Sequence, residues 1–143
     1  MKPKTTAELA PLLLDLVALS LDAKQAHWNV TGPLFHPLHA LFDSMTDEVR
    51  GWYDALAERI RALGEAADGR PGPVAKAAVP MPAGEIDGPK AVALMLERVE
   101  GAASRARARL GRLGELDPVS QDMVIGIVEG LEKQAWMLRA QAR

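Results

Sequence analysis

The stretch from His36 to Leu63, HPLHALFDSMTDEVRGWYDALAERIRAL, opens with a proline at the favoured first helical position and is followed by Gly64, so it reads as one long helix with a defined stop. Taking His39 as origin and about 100° per residue, Asp43 falls near 40°, Asp54 near 60° and Glu58 near 100°. Four potential metal ligands therefore share one face. Asp43 and Asp54 lie about 16 Å apart along such a helix, whereas a metal holds its ligands at roughly 2.0–2.6 Å. One straight helix cannot bring both pairs to one ion. Two copies crossing antiparallel about a twofold axis near Glu48 would set His39 and Asp43 of one chain beside Asp54 and Glu58 of the other, and isologous symmetry would make two such sites. The spacing predicts a metal site shared between subunits.

Upstream, Thr31-Gly32-Pro33 ends an earlier helix, expected from about Thr6 to Val30 with Thr5 or Thr6 as its cap. Leu9, Leu12, Leu13, Leu16, Leu19, Ala23, His27 and Val30 form one broad apolar stripe on it, while Ala10, Leu14, Val17 and Leu21 form a second. A helix with two apolar faces buries one in a bundle and offers the other to a partner. Downstream, the stretch from Gly69 to Pro89 holds five of the ten prolines and reads as a long crossover, with a short helix over Val74 to Ala78. A third long helix is expected from Pro89 to Leu113 on the stripe Val92, Leu96, Val99, Ala103, Ala106, Leu110 and Leu113. A fourth starts near Pro118, after Asp117 as cap, on Val124, Ile127, Val128, Leu131, Ala135 and Leu138. The expectation is an all-α chain: a four-helix bundle in which one connection, between the second and third helices, runs the length of the molecule.

Composition agrees. The chain is 48% apolar but only 4% aromatic, which suits a helical core of Leu, Ala and Val, and its 143 residues suit one domain. There is no cysteine, so His and carboxylates are the strong metal ligands available. The apolar run Leu12 to Leu21 is interrupted by Asp15 and too short to span a bilayer, and it lacks the marks of a signal peptide, so a cytoplasmic location without membrane contact is expected. Seventeen basic against 19 acidic residues give a net charge of −2, which offers no global attraction to a polyanion.

The run Lys24-Gln25-Ala26-His27-Trp28-Asn29-Val30-Thr31-Gly32, then Phe35, Leu38-His39, Phe42-Asp43 and Asp54-Ala55-Leu56-Ala57-Glu58-Arg59, closely resembles the Dps family of mini-ferritins, the DNA-binding proteins from starved cells. The resemblance covers nearly the whole chain, weakening after about residue 65 and returning at Trp136. It implies a single ferritin-like domain over residues 1–143, with 1–5 as a short N-terminal segment, assembled as a dodecameric shell. It further implies a ferroxidase: Fe(II) oxidised between subunits, preferably by hydrogen peroxide, and stored as ferric mineral, which would protect against oxidative damage. Carried over residue by residue, the resemblance assigns His27, His39 and Asp43 to one subunit's half of the site and Asp54 and Glu58 to its neighbour's. Such a mixture of imidazole and carboxylate suits iron, with zinc or manganese able to take the same place. Ferritin-like bundles with an internal di-iron site use Glu-x-x-His motifs, and this chain has none.

Each residue also has an ordinary structural reading. His27 alone would more often be a hydrogen-bonded core histidine, and Glu58 would pair with Arg59 or Arg61 on a solvated face. His36 precedes a proline and is expected off the ligand face. Lys24 matches a position near the site in relatives but is read as a solvated lysine. Trp28, Trp52, Tyr53 and Trp136 can donate electrons to stray oxidants; for Trp52 and Tyr53, filling an interface is the stronger reading.

In Dps relatives, acidic residues near the start of the last helix line threefold pores. Here Glu115, Asp117, Asp122 and Glu129 are candidates, Asp117 and Asp122 the better two, although Asp117 equally suits a helix cap. Relatives that condense DNA carry a mobile lysine-rich tail, whereas this N-terminus offers only Lys2 and Lys4, and the C-terminus adds Arg139 and Arg143. Arg105, Arg107, Arg109 and Arg112 form a basic stretch that reads as solvated surface, so DNA binding is expected to be weak.

Overall fold

The computed structural model describes residues 2–141, and Arg143 lies outside the described residues. In chain order the elements are α1 (Lys2–Asn29), β1 (Val30–Thr31), α2 (Phe35–Ala62), α3 (Pro71–Ala77), β2 (Ile86–Asp87), α4 (Gly88–Ala108), α5 (Leu110–Leu116) and α6 (Pro118–Gln141). Helix α1 packs along α2, and α4 along α6; α1 also meets α4, and α2 meets α6, which closes the expected four-helix bundle. The long connection from α2 to α4 carries α3, which rests on α1.

The first stripe of α1 is the core stripe: Leu9, Leu12, Leu13, Leu16, Leu19 and Ala23 are all buried. On the second strip Ala10, Leu14 and Val17 are only half-buried and Leu21 is exposed, so that face is only partly covered within one chain. The helix starts at Lys2 rather than Thr6, and Thr5, expected as a cap, is buried inside it. It continues through Pro11. An interior proline costs about 3 kcal/mol. Each flanking leucine, Leu9, Leu12 and Leu13, gains about 1.5–3 kcal/mol on burial, so packing wins.

Helix α2 begins at Phe35, leaving Pro37 in the first turn, where backbone N–H groups lack helical partners in any case. At its far end Gly64 adopts φ +93°, and the N–H groups of Gly64 and Glu65 donate to Arg61 O (2.9 Å) and Ile60 O (3.2 Å), the paired bonds of a Schellman stop. Between α2 and α6 the Trp52 indole occupies the space above Gly130; a Cβ there would clash with Trp52 Cζ2 and Cη2.

Two further features differ from expectation. The third helix is not continuous to Leu113. It breaks at Arg109, whose N–H turns back to Ala106 O (3.1 Å) and whose guanidinium pairs with Glu8 (3.0 Å). Gly111 and Gly114 weaken helix propensity just beyond, and Gln121 Nε2 donates to Leu110 O (3.1 Å), holding α5 in the corner against α6. The second is a parallel pairing of β1 with β2, Val30 opposite Ile86 and Thr31 opposite Asp87. Strands of two residues are too short to leave a periodicity in the sequence. This tie pins the end of the crossover beside the turn that follows His27. Among the described residues no helix is long and apolar enough to cross a membrane.

Candidate metal centre

The antiparallel packing of α1 on α2 brings the last turn of α1 beside the first turns of α2, and so places His27 against His39. The two side chains are locked reciprocally. His27 Nδ1 donates to the backbone carbonyl of His39 (2.6 Å), and His39 Nδ1 donates to the backbone carbonyl of His27 (2.7 Å). A carbonyl can only accept, so each Nδ1 carries a hydrogen and Nε2 is the ring nitrogen left for a ligand to claim. The rings stack with centroids 3.7 Å apart and 13° between planes, and Phe35 stacks on His39 at 5.1 Å. Backbone acceptors behind ligand histidines serve this purpose in metal sites generally: they fix tautomer and ring orientation.

Asp43 lies one turn beyond His39 on α2, half-buried, with the Lys24 ammonium of α1 hydrogen-bonded to its Oδ1. That bond, then the charges of Lys24, His27 and His39, hold the Asp43 carboxyl below the usual carboxylate range against the opposing effect of burial. Lys24 is thus not the solvated lysine expected: its side chain is 21% exposed and ion-paired. The contact crosses between helices, and local sequence gives no signal for it.

Asp54 and Glu58 lie three to four turns farther along α2, exposed, and neither makes a hydrogen bond or ion pair among the described residues. Glu58 does not pair with its neighbours: Arg59 turns to Asp117 and Arg61 donates to Glu65 O. Among the described residues of one chain, no three His or carboxylate groups come together closely enough to hold a metal. His36 is exposed and contacts none of these donors.

A ferritin-like domain model matches residues 6–143. The chain is 36% identical to the DNA protection during starvation protein of Mycolicibacterium smegmatis over 96% of its own length and 78% of that protein's. It is 35% identical to the fine tangled pili major subunit of Haemophilus ducreyi, covering 90% of this chain and 69% of that one. With DNA protection during starvation protein 2 of Deinococcus radiodurans it shares 31% identity over 96% of its length, but spans only 58% of that relative. The structure of Dps from Microbacterium arborescens in the high iron form superposes with a TM-score of 0.94 at 33% identity, covering 98% and 93% of the two chains. The chain belongs to the Dps family of ferritin-like proteins. Membership supports a general role in iron storage and oxidative-stress protection.

Elsewhere in this Dps-family chain, several sequence-marked residues are already engaged. Asp117 receives Arg59 Nη2 (2.7 Å) and the Ser120 hydroxyl (2.5 Å), and its Oδ1 accepts from Val119 N–H at the start of α6. Arg59 above all holds its carboxyl below the usual range. Of the two better pore candidates, Asp117 is therefore a cap and ion-pair residue, while Asp122 stays exposed and makes no hydrogen bond or ion pair among the described residues, as does Glu129. Glu115 pairs with Arg112 (3.1 Å).

The basic stretch is likewise neutralised: Arg105 meets Asp15, Arg107 meets Glu132, Arg109 meets Glu8 and Arg112 meets Glu115. Trp28 and Trp136 are 65% and 59% exposed, whereas Trp52 and Tyr53 are half-buried against the core, in line with a packing role for the latter pair.

Proposed function

We propose that this chain is an iron-oxidising, iron-storing mini-ferritin whose oxidation site is completed between two subunits. The observation that carries the reading is the reciprocal lock of His27 and His39, which commits each Nδ1 to a backbone carbonyl and leaves each Nε2 free, with the Asp43 carboxylate one turn beyond His39 on α2. That donor set, imidazole nitrogen with carboxylate oxygen, suits Fe(II) as substrate. It is also half a site. Asp54 and Glu58, exposed and uncommitted on the same helix, are the complementary half for a twofold-related copy.

His27, His39 and Asp43 then bind and orient Fe(II), and Asp54 and Glu58 of the second copy add negative charge that favours Fe(III) as charge builds. Two Fe(II) each give one electron to a hydrogen peroxide molecule, which takes up two protons and leaves as two waters. Peroxide consumed in this two-electron step generates no hydroxyl radical, which is the protective value of the reaction. Zinc or manganese would compete for the same donors. A dodecameric shell in the cytoplasm holding the ferric product completes the reading.

DNA compaction is the weaker reading for this chain, because the four arginines of its basic stretch already face carboxylates. The test is stopped-flow mixing of anaerobic Fe(II) and assembled, metal-free protein with peroxide or dioxygen. Rapid protein-dependent oxidation, faster with peroxide, is expected; no acceleration over buffer by an intact oligomer would overturn the proposal.

A further inference from the structure

Arg98 of α4 stands between two acceptors. Its Nη2 donates to Pro80 O of the crossover (2.9 Å), while its Nε lies 3.9 Å from Asp22 Oδ2 of α1, beyond hydrogen-bond reach. That Nε is buried and has no partner among the described residues. A second pair on the same two helices has the geometry that this one lacks: Asp15, seven residues before Asp22, receives Arg105, seven residues after Arg98, at 2.8 Å. Beside the two pairs lies a groove of about 430 Å³, lined by α1, by α4 and by Ala77, Ala78 and Val79 of the crossover. From residue 66 to residue 85, the bond from Arg98 to Pro80 is the one hydrogen bond between the crossover and a long helix among the described residues. We propose that Arg98 is a two-position clasp: while Asp22 is neutral it holds the crossover through Pro80 O, and when Asp22 ionises it is drawn to that carboxylate and the segment around Val79 comes loose.

The guanidinium is a rigid planar fork and moves as one piece. Closing the gap at Nε therefore carries Nη2 with it, away from the Pro80 carbonyl, and the groove supplies the room. The electrostatics set the direction. Burial raises the Asp22 carboxyl to about 6, with Arg98 only partly offsetting it. No other charged group competes for Asp22 in the groove: Asp15 is taken up by Arg105, Glu97 is exposed and makes no ion pair among the described residues, the crossover residues there are apolar, and α2 and α5 contribute none. A value above the ordinary 3.8 means that the docked form holds the proton more tightly than a loosened form in which Asp22 meets its partner or water. Docking is therefore most favoured below pH 3.8 and is lost as pH rises through about 6. Val74, which is buried, and Ala67 and Met81, which pack on the core, still anchor the rest of the crossover, so the loosening is local.

The chain has no cysteine, so Val79→Cys, at a position 59% exposed, gives a single attachment point for a nitroxide spin label. Its mobility is read by electron paramagnetic resonance on the assembled, metal-free protein from about pH 5 to about pH 8. The mobile fraction is expected to rise severalfold over this range and to reach half its final value near pH 6. Asp22→Asn in the same background is expected to keep the label restricted at every pH, and Arg98→Met to leave it mobile already at the acid end. A label at Val119→Cys, 60% exposed on α6, is expected not to respond.

A Val79 label whose mobility ignores pH, or a step near pH 6 that survives Asp22→Asn, would overturn the proposal. So would a Val119 label that loosens in parallel, because the opening would then be global. If Arg98→Met is as restricted as the parent at the acid end, Arg98 is not the clasp; if that variant fails to assemble, the comparison with Asp22→Asn still decides.

Discussion

His27 and His39 each donate Nδ1–H to the other's backbone carbonyl, at 2.6 and 2.7 Å, so the end of α1 and the start of α2 are tied by the same two side chains whose Nε2 atoms have no hydrogen-bond partner among the described residues. Position and chemistry are coupled in this arrangement. His39→Ala removes one nitrogen donor and the stacked ring, yet leaves the carbonyl that holds His27. The expected result is an assembled helical protein whose affinity for Co(II) or Fe(II) falls by about 10–100-fold, the scale seen when ligand support is lost at metal sites. Anaerobic titration checks it, and parental affinity in His39→Ala would remove this ring from the site.

Gly130 of α6 faces the Trp52 indole, with no room for a Cβ. Gly130→Ala should force the indole aside and destabilise the protein by about 1–3 kcal/mol, as overpacking does. Denaturant unfolding followed by tryptophan fluorescence reads both effects. An unchanged midpoint with an unchanged emission maximum would show that the ring has somewhere else to go.

How much of this was legible in the sequence follows from which physical rule each feature obeys. His39 with Asp43, and Asp54 with Glu58, are spaced i, i+4 on one helix, so helical periodicity alone puts each pair on one face. The core stripe of α1 and the glycine stop at Gly64 obey equally local rules, and the structure has both. Lys24 with Asp43, and Arg59 with Asp117, are contacts between helices. Their existence depends on interhelical register, which no local pattern encodes; Arg59 could as well have met its neighbour Glu58. The break at Arg109 is intermediate, since Gly111 and Gly114 hint at weakness but the tie from Gln121 that fixes the corner is tertiary.

Asp22 gives a pH signature distinct from the metal chemistry. Burial raises its carboxyl to about 6, with Arg98 only partly offsetting it: the two groups are 3.9 Å apart and Arg98 Nε has no hydrogen-bond partner among the described residues. A folded-state value above the unfolded one means that the native state holds the proton more tightly. The stability from protonated Asp22 is therefore fully present below pH 3.8 and is lost as pH rises to about 6. This span corresponds to about 3 kcal/mol. Asp22→Asn should abolish that part of the pH dependence, so that its stability relative to the parent improves by about 3 kcal/mol between pH 4 and 7 in metal-free denaturant titrations. Parallel curves for the two proteins would contradict the assignment.

Arg59 and Asp117 act in the opposite direction. The lowered Asp117 carboxyl contributes stability above its ordinary range, and this is lost as pH falls through the folded-state value. Arg59→Met should cost about 1–3 kcal/mol at neutral pH by leaving Asp117 short of a partner, and should reduce the acid sensitivity of what remains. A variant as stable as the parent at pH 7 would show the pair to be neutral.

The central claim is that iron oxidation needs donors from two chains. One variant lacks His39 and Asp43, and the other lacks Asp54 and Glu58; each alone should oxidise Fe(II) no faster than buffer. Co-assembled from equal amounts of the two, an isologous pair of unlike chains holds one intact site and one with no remaining helix-α2 donors, so random pairing should restore about a quarter of the parental rate with peroxide. Recovery near that level is the predicted result. Mixed assemblies as inactive as either variant alone, with mixing of the chains verified by mass, would contradict a site shared between subunits.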